Sequence, residues 1–184
     1  MSFLDDLKIF GIVTMLIGVI SLITAIVAHM DNLVLMAAWA LLPIAILLIG
    51  FTTYNGELKK KFDVLYTFLI FCGLALVISY AIIFVTGGLD GDWVLKHLLF
   101  VGVGLFAFII GVDMRTGVKM SMLIWILLAL VFLVFLVVSI LSILDGSTAN
   151  LEGIAQLATQ VLFMIMSVYM LYFTLTTEVR NKFH

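Results

Sequence analysis

Six long apolar runs alternate with short polar breaks along the chain, at about residues 8–29, 33–53, 63–86, 93–112, 117–144 and 151–177. A helix rising 1.5 Å per residue needs about 20 apolar residues to cross about 30 Å of hydrocarbon. Each run therefore predicts one membrane-spanning helix. No Asp, Glu, Lys or Arg stands near the middle of any run. Asp31-Asn32, Asp63, Asp92, Thr116 and Asn150 each precede an apolar run. There a side-chain oxygen can accept from the free N–H groups that open a helix. The odd-numbered runs begin near residues 8, 63 and 117, a spacing that predicts three helical hairpins. The expected architecture is an all-α integral membrane bundle of six helices, one transmembrane domain over residues 1–184.

Composition agrees with that pattern. The chain is 65% hydrophobic and 11% charged, with a mean hydropathy of +1.36, whereas a soluble domain carries about 25% charged residues. One proline and 14 glycines leave no room for a disordered linker. Cys72 is alone, so no internal disulfide is expected. The opening M-S-F-L-D-D-L-K is followed by no small-residue cleavage site, and no cleaved signal peptide is read there. With a net charge of −2 and no basic patch, nucleic acid is not an expected partner.

Charge decides the orientation. Lys8, Lys59, Lys60, Lys61, Arg115, Lys119, Arg180 and Lys182 all fall on one side of the six predicted spans; Lys96 alone falls on the other. Basic residues near short loops mark the cytoplasmic side. Both termini and the Y-N-G-E-L-K-K-K-F-D loop at 54–63 are thus predicted to be cytoplasmic, in the cell membrane. The outer side has Asp31, Asp90, Asp92, Asp145 and Glu152 against Lys96, five acids and one base. Like charge lowers the local concentration of a free anion. Such a mouth favours a protonated acid, a cation or a neutral solute.

Candidate chemistry is sparse. With no ionisable group at depth, a pump built on a mid-membrane carboxylate and a buried metal site are both disfavoured. His29, His97 and His184 sit at helix ends or the C-terminus, which argues against a two-histidine haem clamp. No Ser-His-Asp or Cys-His arrangement falls within reach by spacing, so the chain reads as no enzyme, with no cofactor. Weakly polar stripes remain. Gly11, Thr14, Gly18, Ser21 and Ala25 share a face of span one, and Gln156, Gln160, Phe163, Ser167 and Thr174 a face of span six. Gly104, Ala107 and Gly111 in span four, with Cys72, Ala75 and Ser79 in span three, read as close packing. Glutamines one turn apart need partners in hydrocarbon, which points to the protomer interior. A solute pathway is expected beside Phe10, Thr14, Gln156 and Gln160, with Lys96, His97 and Glu152 at its outer mouth. Span five has no polar side chain from Leu123 to Val138 except Trp125; it is expected to face lipid or a neighbouring subunit. Pro43 should kink span two.

Three stretches resemble the acetate uptake transporters, or succinate–acetate permeases. I-F-G-I-V-T at 9–14 is similar to that family's first-span F-G-x-x-T. P-I-A-I-L-L-I-G-F-T-T-Y at 43–54 resembles G-x-A-Q-x-x-x-G-x-x-E-Y, with Gly50 and Tyr54 in register. G-V-G-L-F-A-F-I-I-G at 102–111, with Arg115 and Lys119 after it, is similar to the glycine-bounded span four and its K-x-x-R loop. The N-P-x-P-L-G-L signature is absent, and Ile46 and Thr53 stand where the family has glutamine and glutamate. The resemblance implies a homo-oligomer, a hexamer in that family, each protomer holding a narrow pathway for a small monocarboxylate such as acetate. By position it implies a constriction at Phe10 and Leu128, with a third aromatic at Tyr66, Phe68 or Phe71. Urea and amide channels share six spans but have outer termini. G-I-V-T-M-L-I-G-V-I-S-L-I also resembles the first span of small six-span acid-stress proteins, which implies a structural or accessory role instead.

Overall fold

In the computed structural model the chain is all helical, and its six long helices form a membrane bundle. The structure describes the backbone of residues 3–86, 91–144 and 151–183, and the side chains of 4–86, 98–144 and 157–183. A 3-10 turn over Phe3–Asp5 leads into α1 (Leu7–Ala28), α2 (Leu33–Tyr54), α3 (Lys61–Thr86), α4 (Gly91–Thr116), α5 (Met122–Leu144) and α6 (Leu151–Leu175). A short helix, α7 (Thr177–Arg180), closes the chain. All six long helices are long and apolar enough to cross a membrane. They pack as three antiparallel hairpins, α1 with α2, α3 with α4 and α5 with α6; α2 joins α3 to the first pair, and α6 closes back on α1 and α3.

The helix ends follow local chemistry, and several differ from the sequence expectation. Asn32 caps α2, its side chain accepting from the N–H groups of Val34 and Leu35 at 3.1 Å. Asp6 caps α1 in the same way, accepting from Lys8 and Ile9. Thr116, expected to open α5, instead ends α4. Gly117 takes φ +73°, and Gly117 and Val118 donate back to Met114 and Asp113. That double bond with a left-handed glycine is a helix-ending motif that favours a residue without Cβ. Gly56, at φ +76°, ends α2 identically, Gly56 and Glu57 donating to Thr53 and Thr52. Asp63 likewise lies inside the first turn of α3, which begins two residues earlier. The side chain of Asp92, in the first turn of α4, and Asn150 lie outside the described residues. Helix α2 runs on across Pro43 as one element.

Glycines set the helix spacing. A Cβ on Gly50 would lie 2.6 Å from the backbone N of Met15, and one on Gly11 2.7 Å from that of Tyr54. At Gly18 it would meet Leu47 at 2.7 Å. The α3–α4 pair repeats the device: Gly73 against Gly104 and Phe108, and Gly111 against Ile70. Gly11 and Gly18 of the span-one stripe and Gly104 and Gly111 of the span-four stripe thus stand where helices approach closely, whereas in span three it is Gly73, beside the expected stripe, that does so. Direct bonds add to them. Ser79 Oγ donates to the carbonyl of Ala38 at 2.7 Å across α3–α2, one residue before the carbonyl that Pro43 deprives of its helical donor. Trp125 Nε1 donates to the carbonyl of Thr174 at 2.7 Å. That carbonyl is among the last four of α6 and has no partner within the helix. The polar atom singled out in span five therefore caps its hairpin neighbour. The rest of α5 turns outward: Leu123, Ile126, Leu130, Val134 and Val138 are exposed, while Leu128 and Phe132 are buried.

Candidate functional site

The start of α1 and the end of α6 meet at the end of the bundle that carries the chain termini. Phe10, fully buried, packs edge-on against Tyr169 with ring centroids 5.1 Å apart and tilted against Phe173 at 5.0 Å. Asp5 lies toward the chain end, and its carboxylate accepts from the Lys61 ammonium at the start of α3 and from the Tyr172 hydroxyl. The Lys61 ammonium also stands 5.0 Å from the centre of the Tyr172 ring. An aromatic cluster is thereby backed by a three-membered polar knot that ties the 3-10 turn before α1 to α3 and α6. Lys61, one of the loop lysines, is engaged in structure as well as in setting charge bias.

Above the cluster, Thr14, Ile17 and Ser21 follow Phe10 at helical spacing, so they share its face; all three are buried. The glycines of α1 occupy the neighbouring face, against α2. The hydroxyls of Thr14, Ser21 and Tyr169 are buried with no hydrogen-bond partner among the described residues. At 1.5 Å per residue, Thr14 lies about 10 Å past the start of α1 and Tyr169 about 9 Å short of the end of α6. Ser21 lies about 21 Å past that start, and Gln160 about 22 Å short of that end. By residue count alone, each pair lies at a similar distance from its helix end. An unsatisfied buried hydroxyl costs about 1–3 kcal/mol. Further along α6, Ser167 and Thr174 donate to their own helix, to Phe163 and Met170.

The other sequence candidates separate. Phe68 packs on Phe132 at 6.2 Å and lines, with Leu128 and Cys72, an apolar cavity of about 60 Å³ between α3, α4 and α5. Apolar lining of this kind keeps a small void dry. Tyr66 is half-buried near the basic end, its ring 5.8 Å from Phe62, and Phe71 is exposed. Gln160 is half-buried. The side chains of Gln156, Lys96, His97 and Glu152 lie outside the described residues. Thus Phe10 and Thr14 stand together on the α1–α6 seam, while Phe68 and Leu128 stand together elsewhere. Sequence reasoning missed Tyr169, Tyr172 and Phe173, although Y-M-L-Y-F at 169–173 gathers three aromatics within five residues. Among the described residues no group of His, Cys, Asp and Glu could hold a metal ion. Searches of protein-family models, curated proteins and solved structures returned no match.

Proposed function

We propose that this membrane protein is a facilitator for a small weak acid, such as acetate, that crosses in its protonated form along the α1–α6 seam. The observation that supports this is the set of three buried hydroxyls on facing helices with no partner among the described residues. A neutral carboxylic acid both donates and accepts, and can satisfy two such groups at once. In this reading Phe10, Tyr169 and Phe173 form the barrier, and the Asp5–Lys61–Tyr172 knot braces it on the cytoplasmic side. Gln160, with Gln156, continues the polar path toward the acidic outer end. The protein performs no covalent chemistry. Copies assemble through the exposed apolar face of α5 into a ring.

The test is uptake of labelled acetate into proteoliposomes at two pH values. Expected are flux above that of empty vesicles, a rise as pH falls, and loss of flux in Gln156→Leu/Gln160→Leu at unchanged thermal stability. Native mass spectrometry of the same sample should give a homo-oligomer; monomer alone in mild detergent counts against the ring. The second reading, a structural or accessory protein, is favoured by the glycine seams that bring backbones into contact at Gly50 and Gly73. It predicts flux no higher than in empty vesicles, and glutamine variants that lose stability instead.

A further inference from the structure

A second cavity lies at the terminal end of the bundle, away from the α1–α6 seam. It has a volume of about 310 Å³ and opens between the start of α3, the α4–α5 loop and the C-terminal tail. A parallel bridge pairs Met120 with Phe183 and fixes the tail to the loop. The residues just before them, Lys119 and Lys182, are therefore neighbours in register, and both line the cavity with Asn181. Met120 and Phe183 are buried, whereas both lysines are exposed. Among the described residues no carboxylate lines this cavity, and the one ion pair is Lys61–Asp5. The nearby carboxylate of Glu178 is turned to the N–H of Phe62. Like charges opposite one another in a paired register repel, so an anion between these lysines would be held by both. The remaining wall, with Phe62, Met114 and Val118, is apolar; Lys182 stands 5.6 Å over the Phe62 ring.

We propose that this cavity seats a phosphate-bearing group, and that its source is the headgroup of an anionic lipid. Two cations and an amide suit a phosphodiester, while the apolar wall suits the glycerol and upper acyl carbons beside it. The cavity lies at the helix ends, the depth at which headgroups sit, and basic pockets between helices at the membrane surface hold such headgroups. The same basic residues that set the charge bias would thus also anchor a specific lipid.

Native mass spectrometry of the detergent-purified full chain titrated with phosphatidylglycerol tests this, with phosphatidylcholine and inorganic phosphate as the other arms. One bound phosphatidylglycerol per chain is expected, with affinity about fivefold lower in Lys119→Gln or Lys182→Gln and roughly thirtyfold lower in the double variant. Lys59→Gln/Lys60→Gln removes the same charge outside the cavity and should leave the affinity within twofold. Melting without lipid checks that all variants fold. Equal loss in the two double variants, or equal retention of phosphatidylcholine, overturns the proposal. Inorganic phosphate binding as tightly as the lipid would overturn the lipid as source.

Discussion

Adding one methyl group at Gly50 and one at Gly102 is the same chemical change in two helices, yet the two should differ in sign. Among the described residues, no atom of another element lies within 4 Å of the position a Cβ on Gly102 in α4 would take. Gly102→Ala therefore meets no obstacle, and the higher helix propensity of alanine stabilises by about 0.5–1 kcal/mol. At Gly50 the new Cβ would stand 2.6 Å from the backbone N of Met15, 2.8 Å from its Cγ and 2.9 Å from the carbonyl of Gly11. Side chains can swing away, but two of these atoms are backbone. Relief thus requires α1 and α2 to separate by a sizeable fraction of an ångström. A radial gap of about 0.5–1 Å forfeits a quarter to a half of each dispersion contact along the seam. Overpacking of this kind costs about 1–3 kcal/mol, which outweighs the propensity gain of about 0.5–1 kcal/mol and makes Gly50→Ala net destabilising. The difference between the two variants should thus be about 1–3 kcal/mol, or roughly 2–12 °C in midpoint for a chain of this length. Thermal unfolding of both variants in one detergent, followed by size-exclusion chromatography, measures it. If Gly50→Ala melts at or above Gly102→Ala, then α1 and α2 are not in backbone contact and the glycine account of the hairpin fails.

Two further outcomes follow from single contacts. Trp125→Phe keeps the apolar bulk but leaves the Thr174 carbonyl without its 2.7 Å donor, which should cost about 1–3 kcal/mol; a midpoint unchanged from wild type in the same melting assay would show that the bond contributes nothing. Residues 54–63 should face the cytoplasm, so in a Cys72→Ala background a cysteine at position 60 should resist an impermeant thiol reagent in whole cells and react in inverted vesicles, and labelling from outside would reverse the assigned orientation.

The number and nature of the helices were legible because each apolar run is long enough to cross hydrocarbon and is cut by a short polar break. Their ends were less so. Thr116 has the side chain of an N-cap, but Gly117 next to it supplies the left-handed turn that ends α4, and the chain then runs extended before α5 starts at Met122. Capping chemistry alone cannot tell which helix a residue serves when two meet across so few residues. Trp125 was legible as the one polar side chain between Leu123 and Val138, but its acceptor lies 49 residues away, a distance no local pattern encodes.

The same limit explains what was missed at the candidate site. Small and polar residues stand out in an apolar run, so Thr14, Ser21 and Gln160 could be assigned to faces from spacing. Aromatic residues do not stand out in an apolar run, and spacing does not tell that Phe71 lies on the exterior and Phe173 at the core. What separates them is the helix opposite. Phe173 is buried because Phe10 and Tyr169 close on it, and those rings come together where Asp5 draws Lys61 and Tyr172 to one point. Spacing alone put Gly11 and Thr14 on one stripe, whereas packing divides it: the glycines take the backbone of α2, and the hydroxyls take the face turned to α6. In a membrane the two uses differ physically, because a glycine needs only a neighbour's surface while a buried hydroxyl needs a donor or acceptor. This division of one stripe lets the glycines of α1 seat against the backbone of α2 while Thr14 and Ser21 stay buried without a hydrogen-bond partner among the described residues.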